Sequence, residues 1–228
     1  MHLPIHFLQR LHYFVLRYLL RVVGVENIIL VQPIAANQGP LRGCQMLPGQ
    51  GWLAYRGFLK CMFTKDYTGA LIDFQRVAKL KPNGREMDHT YAFFEGTCEL
   101  ELGHYQRAEA AFAHDMALQR GSDGLGEIHF NTLFYAGVVA ARLKQYAPAQ
   151  AYLQQCLRAY PQHPEANYYL ALIYQAQGQP ALARQHLEAA QRALIGGYRL
   201  NEDNIFYANY PEQVTEFEVT RAMKEIEK

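Results

Sequence analysis

The sequence predicts an all-α protein, a right-handed solenoid of stacked helix-turn-helix repeats, and three observations support this prediction. Of the 228 residues, 50% are hydrophobic, which is ample for a packed core and excludes disorder over the whole chain. The chain combines 16 Tyr and 12 Phe with a single Trp and abundant Ala. A spacing of small and aromatic residues also recurs along residues 52–195, as expected when similar helix pairs stack on one another.

The N-terminal residues 1–24 predict an amphipathic helix with a basic side formed by Arg10, Arg17 and Arg21. These three charges interrupt the apolar run, so neither a membrane span nor a signal peptide fits. Two interpretations stay open: the helix packs on the rest of the protein, or it lies in a membrane interface. A short β-like run at 28–31 follows, and residues 33–51 hold three Pro and four Gly, as in an irregular linker.

The repeated pattern is a small residue, a Tyr nine positions later, an Ala three positions after the Tyr, and then an aromatic residue or Leu four positions later. The anchor alanines lie 38, 41 and 34 residues apart, and the two longer intervals contain insertions rich in turn-forming residues. In the first copy the gap between Gly and Tyr is ten, which predicts one extra residue in the turn. The four copies are Gly57, Tyr67, Ala70 and Phe74; Gly96, Tyr105, Ala108 and Phe112; Gly137, Tyr146, Ala149 and Leu153; and Ala171, Ala183 and Leu187.

Residues 52 to about 195 therefore resemble the tetratricopeptide repeat family, whose period is 34 residues. The resemblance implies two helices per copy, small residues where the helices approach closely, and a tyrosine at each turn. Pro82 and Pro161 are placed to end second helices. The chain departs from the family pattern at Arg120, where Pro is usual, and at Pro180, which replaces the turn tyrosine; Trp52 lies just outside the place of the usual tryptophan.

Residues 196–228 are predicted to form a loop and a capping helix, after an N-terminal segment at 1–50 and a solenoid at 51–195. Gly196 and Gly197 break the last repeat helix, and Pro211 is predicted to open the final helix. Val214, Phe217, Met223 and Ile226 give that helix an apolar side. The segment at 205–211, IFYANYP, offers a further possibility, because it is aromatic and able to fold back into the groove as an intramolecular ligand.

Catalytic and metal-binding motifs are not found in the sequence, so a non-enzymatic protein without cofactor or metal is expected. The nine histidines include no pair four residues apart with a carboxylate between them. The four cysteines form no CxxC pair and are predicted to be reduced and core-filling, which suits the cytoplasm. A net charge of +1 gives little attraction for nucleic acid.

In solenoids of paired helices the first helix of each pair lines the concave face, and this defines the candidate partner-binding residues. Counted from the anchor residues they form an aromatic groove with mixed charge at one edge, although each ring taken singly also fits the core. Among these positions only Arg142 is basic, so the Lys- and Arg-rich clamp of chaperone-binding relatives in the family is not expected. The candidates are Phe58, Phe93, Thr97, Glu101, Phe134, Val138, Arg142, Tyr168, Leu172 and Gln175.

The function predicted first is a protein-interaction scaffold that holds a peptide or helix of a partner protein in this groove. The alternatives are a membrane-peripheral assembly factor attached through residues 1–24, an enzymatic or small-molecule-binding solenoid, and a nucleic-acid-binding protein. The sequence leaves the partner and the oligomeric state undetermined.

Overall fold

The computed structural model describes residues 50–121, 124, 126–200 and 210–226. The predictions for residues 1–49, including Cys44 and the N-terminal helix, and those for 201–209 lie outside the described residues. The elements in chain order are α1 Gln50–Leu59 with a π-helical extension Lys60–Thr64, α2 Tyr67–Leu80, β1 Arg85–Glu86, β2 His89–Thr90, α3 Tyr91–Glu101, α4 Tyr105–Arg120, α5 Phe130–Arg142, α6 Tyr146–Ala159, α7 Pro164–Ala176, α8 Pro180–Ile195 and α9 Glu216–Ile226.

The eight helices from α1 to α8 form four antiparallel pairs, and each pair packs on the next. One hydrophobic core runs through all four pairs and continues under α9. A single helix pair cannot bury its own apolar stripe, so the stacking supplies the burial that each pair lacks. The all-α repeat solenoid predicted from the sequence is confirmed.

The small anchor residues lie where the two helices of a pair touch. A Cβ placed on Gly57 would lie 3.0 Å from the ring of Phe74, and one on Gly96 would lie 2.9 Å from the ring of Phe112. In the third pair the same relation joins Gly137 to Leu153 at 2.7 Å. The recurring spacing therefore records a contact in which the absent side chain leaves room for a large one.

The turns between the paired helices share one conformation, with a left-handed residue two positions before each second helix. Their φ angles are 58° at Lys65, 77° at Gly103, 59° at Lys144 and 70° at Gly178. The extra residue of the first copy was predicted in this turn, and that prediction is wrong. It is instead absorbed in the π-helical turn Lys60–Thr64, which lengthens the end of the first helix and keeps the turn unchanged.

The first insertion forms a two-residue antiparallel pairing between β1 and β2, which leads directly into α3. Behind it, the buried carboxylate of Asp115 accepts hydrogen bonds from the hydroxyls of Thr90 and Thr132, both at 2.7 Å. Gln119 donates to the same carboxylate at 2.9 Å and accepts from the backbone N–H of His129 at 2.6 Å. This network fastens the second helix pair to the start of the third.

Three cysteines, Cys61, Cys98 and Cys156, are buried and free, as predicted. A hydrogen bond with the thiol of Cys61, together with burial, raises the pKa of Cys98 well above its usual value. In the part of the chain that the structure describes, no helix has the length and apolar character that crossing a membrane would require.

The C-terminal part differs from the prediction in where its helix begins. Helix α9 begins at Glu216, five residues after Pro211. Thr215 caps it, because its hydroxyl oxygen accepts from the N–H of Phe217 at 3.2 Å and its own N–H donates to the carboxylate of Glu218 at 2.8 Å. Val219 and Ala222 form its buried side, whereas Phe217 is 68% exposed, contrary to the prediction. Val214 is buried, but it lies in the non-helical segment that precedes α9.

Candidate functional site

Residues 210–215, called here the C-terminal strap, lie against the first helices of the third and fourth pairs. These helices, α5 and α7, belong to the set that forms the concave face of a solenoid of paired helices. Pro211 and Val214 of the strap are buried, and Thr215 is exposed. The face that was predicted to bind a partner thus holds a segment of the chain itself.

The strap places one carboxylate between two donors from neighbouring repeats. Nη2 of Arg142, at the end of α5, lies 2.9 and 3.1 Å from the two carboxylate oxygens of Glu212. The hydroxyl of Tyr169, on α7, donates to the same carboxylate. Burial, and then the charge of Glu212, raise the pKa of Tyr169, so the tyrosine stays protonated and can donate. Burial lowers the pKa of Arg142, but the charge and hydrogen bond of Glu212, together with Tyr169 and Tyr105, outweigh that effect, so the pKa is raised.

Two further contacts bind the backbone of the strap. The hydroxyl of Tyr135, on α5, donates to the carbonyl oxygen of Pro211 at 2.7 Å. Oε1 of Glu165, fully buried at the start of α7, accepts from the backbone N–H of Val214 at 3.4 Å. The ring of Tyr210 also lies edge-on to His89, with 6.3 Å between the ring centroids. Side chains of the solenoid therefore hold the strap by its main chain as well as by Glu212.

Glu212 adopts a left-handed conformation with φ of 61°, which is unfavourable for a residue with a Cβ. The N–H of Gln213 donates to the carbonyl oxygen of Tyr210 at 3.3 Å and closes a turn around Pro211 and Glu212. Pro at the second position and a positive φ at the third are typical of a type II turn, in which Gly usually occupies the third position. The contacts of its carboxylate with Arg142 and Tyr169 offset the cost of this conformation.

A cavity of about 590 Å³ opens beside the strap, toward the first and second helix pairs. Lys65, Tyr67 and Glu101 line it on the solenoid side, and burial lowers the pKa of Lys65. Tyr67 and Glu101 are hydrogen-bonded to each other, and burial followed by the charge of Glu212 raises the pKa of Glu101. The cavity therefore lies between the strap, the turn that joins α1 and α2, and the C-terminal end of α3.

Most of the aromatic residues predicted to line the groove lie in the interior. The ring of Phe93 stacks on His89 with 3.8 Å between centroids and meets Tyr135 of the next first helix at 5.5 Å. Phe134 meets Tyr169 at 5.7 Å in the same way. Solvent reaches neither phenylalanine in this structure. Phe58, Thr97, Val138 and Tyr168 are also buried, and Leu172 and Gln175 are half-buried.

The structure brings two of the predicted residues to the strap or the cavity beside it, namely Arg142 and Glu101. The strap contacts that the sequence reasoning missed are Tyr135, Tyr169 and Glu165. The two tyrosines follow directly after the predicted residues Phe134 and Tyr168, so the contacts occur one residue later along the helix. The available signal was the pair of adjacent aromatic residues in the first helices α3, α5 and α7, since the prediction retained only one residue of each pair.

The arrangement is suited to recognition. It presents hydroxyl and guanidinium donors to a carboxylate and to a carbonyl oxygen, and a buried carboxylate to a backbone N–H. Within the described ranges, no group of three or more His, Cys, Asp or Glu side chains is placed to hold a metal ion.

The comparisons with known proteins agree with the repeat solenoid seen in the structure. A family model described as tetratricopeptide repeat matches residues 131–163 and 165–193. The comparison with curated proteins finds no match. A solved structure of MamA from Desulfovibrio magneticus RS-1, spanning its residues from 41 to the end, is 23% identical with a TM-score of 0.53, over 65% of this chain and 77% of that one.

Two further solved structures share the fold. The Cut9–Hcn1 hetero-tetramer of the APC/C matches 78% of this chain and 30% of the other, at 16% identity and a TM-score of 0.61. YrrB, described as a TPR protein with an unusual peptide-binding site, matches 64% of this chain and 69% of its own, at 16% identity and a TM-score of 0.50. The matched repeats coincide with helices α5–α8, and the two preceding pairs repeat the same helix-turn-helix geometry. Residues 131–193 therefore match tetratricopeptide repeats, and α1–α4 extend the same solenoid fold toward the N-terminus.

Proposed function

We propose that the protein is a non-enzymatic interaction module that binds a short segment of a partner protein on its concave face. The observation that carries the proposal is the strap itself, which this face holds through side-chain contacts to a carboxylate, a carbonyl oxygen and a backbone N–H. A surface that binds a peptide segment of its own chain has the donors and acceptors needed to bind one from another chain. The description of YrrB as a peptide-binding protein agrees with this use of the fold.

Six of the predicted partner contacts are buried, so in this proposal they pack beneath the binding face and do not touch the partner. They are Phe58, Phe93, Thr97, Phe134, Val138 and Tyr168. Glu101, Arg142, Leu172 and Gln175 are the accessible members of that predicted set. The open cavity beside the strap gives an incoming segment its first point of contact, and displacement of the strap then opens the face over α5 and α7.

A displayed library of random peptides, selected against the full chain, tests the proposal. The same selection is carried out with the strap variant Glu212→Gln/Val214→Ser, which weakens the strap and leaves every residue of α1–α8 in place. We expect the variant to select more peptides and to bind them more tightly, and we expect those peptides to slow amide hydrogen exchange in α5 and α7. Selection of no peptide by either protein, or protection confined to the second helices α6 and α8, would overturn the proposal.

Peripheral membrane contact through residues 1–24 stays a prediction, as does a cytoplasmic location. Flotation with liposomes, comparing the chain with and without residues 1–24, tests the membrane contact. Flotation that requires these residues supports it, and equal behaviour of the two chains contradicts it.

A further inference from the structure

The chemistry of the strap contacts specifies which segment the concave face accepts. We propose that the face selects a partner segment that forms a Pro-Glu turn followed by an aliphatic residue two positions after the carboxylate, the pattern of Pro211–Val214. This inference rests on the proposed function and names the partner chemistry of the same site. Three subsites support it, and each comes from different residues of the solenoid.

The first subsite accepts a carboxylate. Arg142 and the hydroxyl of Tyr169 converge on Glu212, and these two side chains lie 3.5 Å apart, so the donors form one compact site. A guanidinium that contacts both oxygens distinguishes a carboxylate from an amide, because the amide offers one acceptor and no charge. The side chain of Glu212 is 16% exposed, so a segment without this charge would leave Arg142 partly desolvated and unpaired.

The second subsite accepts the turn. Tyr135 donates to the carbonyl oxygen of Pro211, and Glu165 accepts the N–H of Val214, three residues later. The bond from the N–H of Gln213 to the carbonyl oxygen of Tyr210 closes the turn without using either group, so both remain available to the solenoid. Proline adds affinity because its fixed φ reduces the entropy lost when a free segment adopts the turn.

The third subsite accepts the aliphatic side chain. Val214 is 5% exposed and belongs to the core that α5, α7 and α9 share. A polar residue at this position would lose its hydration without gaining a partner. The charge of the first subsite also matches the segment, because Arg142 pairs with Glu212, the acidic residue of the strap. These features favour a protein segment of this pattern over other ligands.

Fluorescence anisotropy with a defined probe tests the inference. The probe is a labelled peptide with the sequence of residues 210–216, Tyr-Pro-Glu-Gln-Val-Thr-Glu, and the protein is the full chain. In the wild type the strap competes at the high effective concentration of a tethered segment. We therefore expect the probe to bind the Glu212→Gln/Val214→Ser variant at least tenfold more tightly than the wild type. Replacing the first Glu of the probe by Gln, or its Val by Ser, should weaken binding at least fivefold.

The decisive variant is Arg142→Gln in the strap-variant background, where the Glu and Gln probes should bind equally. Arg199→Gln is the matched control, since it also removes one positive charge, from the cavity beside the strap, where the guanidinium of Arg199 donates to the carbonyl oxygens of Leu194 and Tyr198. This control should keep the fivefold preference. Circular dichroism checks folding, and Glu212→Gln alone replaces the double variant if the latter unfolds.

Equal binding of the Glu and Gln probes by the strap variant, or a preference that survives Arg142→Gln, overturns the inference. Failure of the probe to bind the strap variant at millimolar concentration overturns it as well. The proposed function still stands in these cases if library peptides of a different pattern bind and protect α5 and α7, so the two failures are distinguishable.

Discussion

Arg142 and Glu212 are 70 residues apart in the chain, yet the guanidinium of one lies 2.9 Å from the carboxylate of the other. Arg142 ends α5 in the third helix pair, and Glu212 lies in the strap that precedes α9. Because Tyr169 of the fourth pair joins the same carboxylate, one acidic side chain ties two repeats to the C-terminal segment.

A double-mutant cycle measures the strength of this tie. We expect Arg142→Gln and Glu212→Gln each to lower the free energy of unfolding by about 1 kcal/mol, with a coupling energy of about 0.5–1 kcal/mol because Arg142 is 44% exposed. Urea denaturation at low and high salt measures both quantities. The exposed pair Arg192 and Glu188, 4.0 Å apart on α8, is the control and should show almost no coupling. A coupling no larger than that of the control contradicts the prediction.

Substitution of Gly137 tests the contact on which the repeat pattern depends. A Cβ at this position would lie 2.7 Å from Cγ of Leu153, so Gly137→Ala should lower the free energy of unfolding by about 1–3 kcal/mol despite the better helix propensity of Ala. Adding Leu153→Ala should cost less in the Gly137→Ala protein than in the wild type, since the new methyl group partly fills the vacated space. Thermal and urea denaturation of the four proteins give the comparison, and strictly additive effects would contradict it.

Loss of Asp115 should be among the more destabilising changes of a single polar residue. Asp115→Ala leaves the buried hydroxyls of Thr90 and Thr132 without their acceptor and removes one of the two acceptors of the Gln119 amide, and we expect a loss of about 2–4 kcal/mol. Glu109→Ala, at an exposed position of the same helix, is the matched control and should change stability by less than about 0.5 kcal/mol. Urea denaturation measures both, and similar effects at the two positions would disprove the role of the network.

His89 should make stability depend on pH. Burial, with smaller effects of His129 and Arg85, lowers the pKa of His89 from 6.5 to about 3. The unfolded chain therefore binds a proton first as the pH falls, and the free energy of unfolding decreases between pH 6.5 and pH 3 by at most about 1.4 kcal/mol per pH unit. His89→Phe keeps a ring stacked on Phe93 without titrating, so its stability should fall less from pH 7 to pH 5. Urea denaturation at pH 7, 6 and 5 compares the two proteins, and equal losses of stability would refute the role of His89.

The helix pairs could be predicted from the sequence because each depends on residues close together in the chain. Gly96 and Phe112, or Gly137 and Leu153, lie within one helix-turn-helix unit, so their spacing records their contact. The position of the extra residue in the first copy could not be read in this way. Spacing counts residues between Gly57 and Tyr67 but does not tell a longer turn from a π-helical turn.

The candidate site was harder to predict because its contacts join residues distant in the chain. Whether Phe134 or Tyr135 reaches the strap depends on how neighbouring repeats rotate relative to one another and on where the C-terminal segment returns. The Tyr135 contact to Pro211 spans 76 residues, and no local pattern encodes it. One signal was present and missed, since Thr215 and Glu218 have the spacing of a capping box and mark the true start of α9.

The contact of Tyr135 with Pro211 also changes how the repeat array is expected to unfold. In a linear solenoid each repeat touches only its neighbours, so terminal repeats fray independently of the middle. Here the segment beyond the fourth pair returns to the third, so α7 and α8 cannot detach without releasing the strap from α5. The third and fourth pairs and the strap should therefore melt as one cooperative unit. A partner that displaces the strap would divide this unit. Increased fraying of the C-terminal helices would then report that the partner is bound.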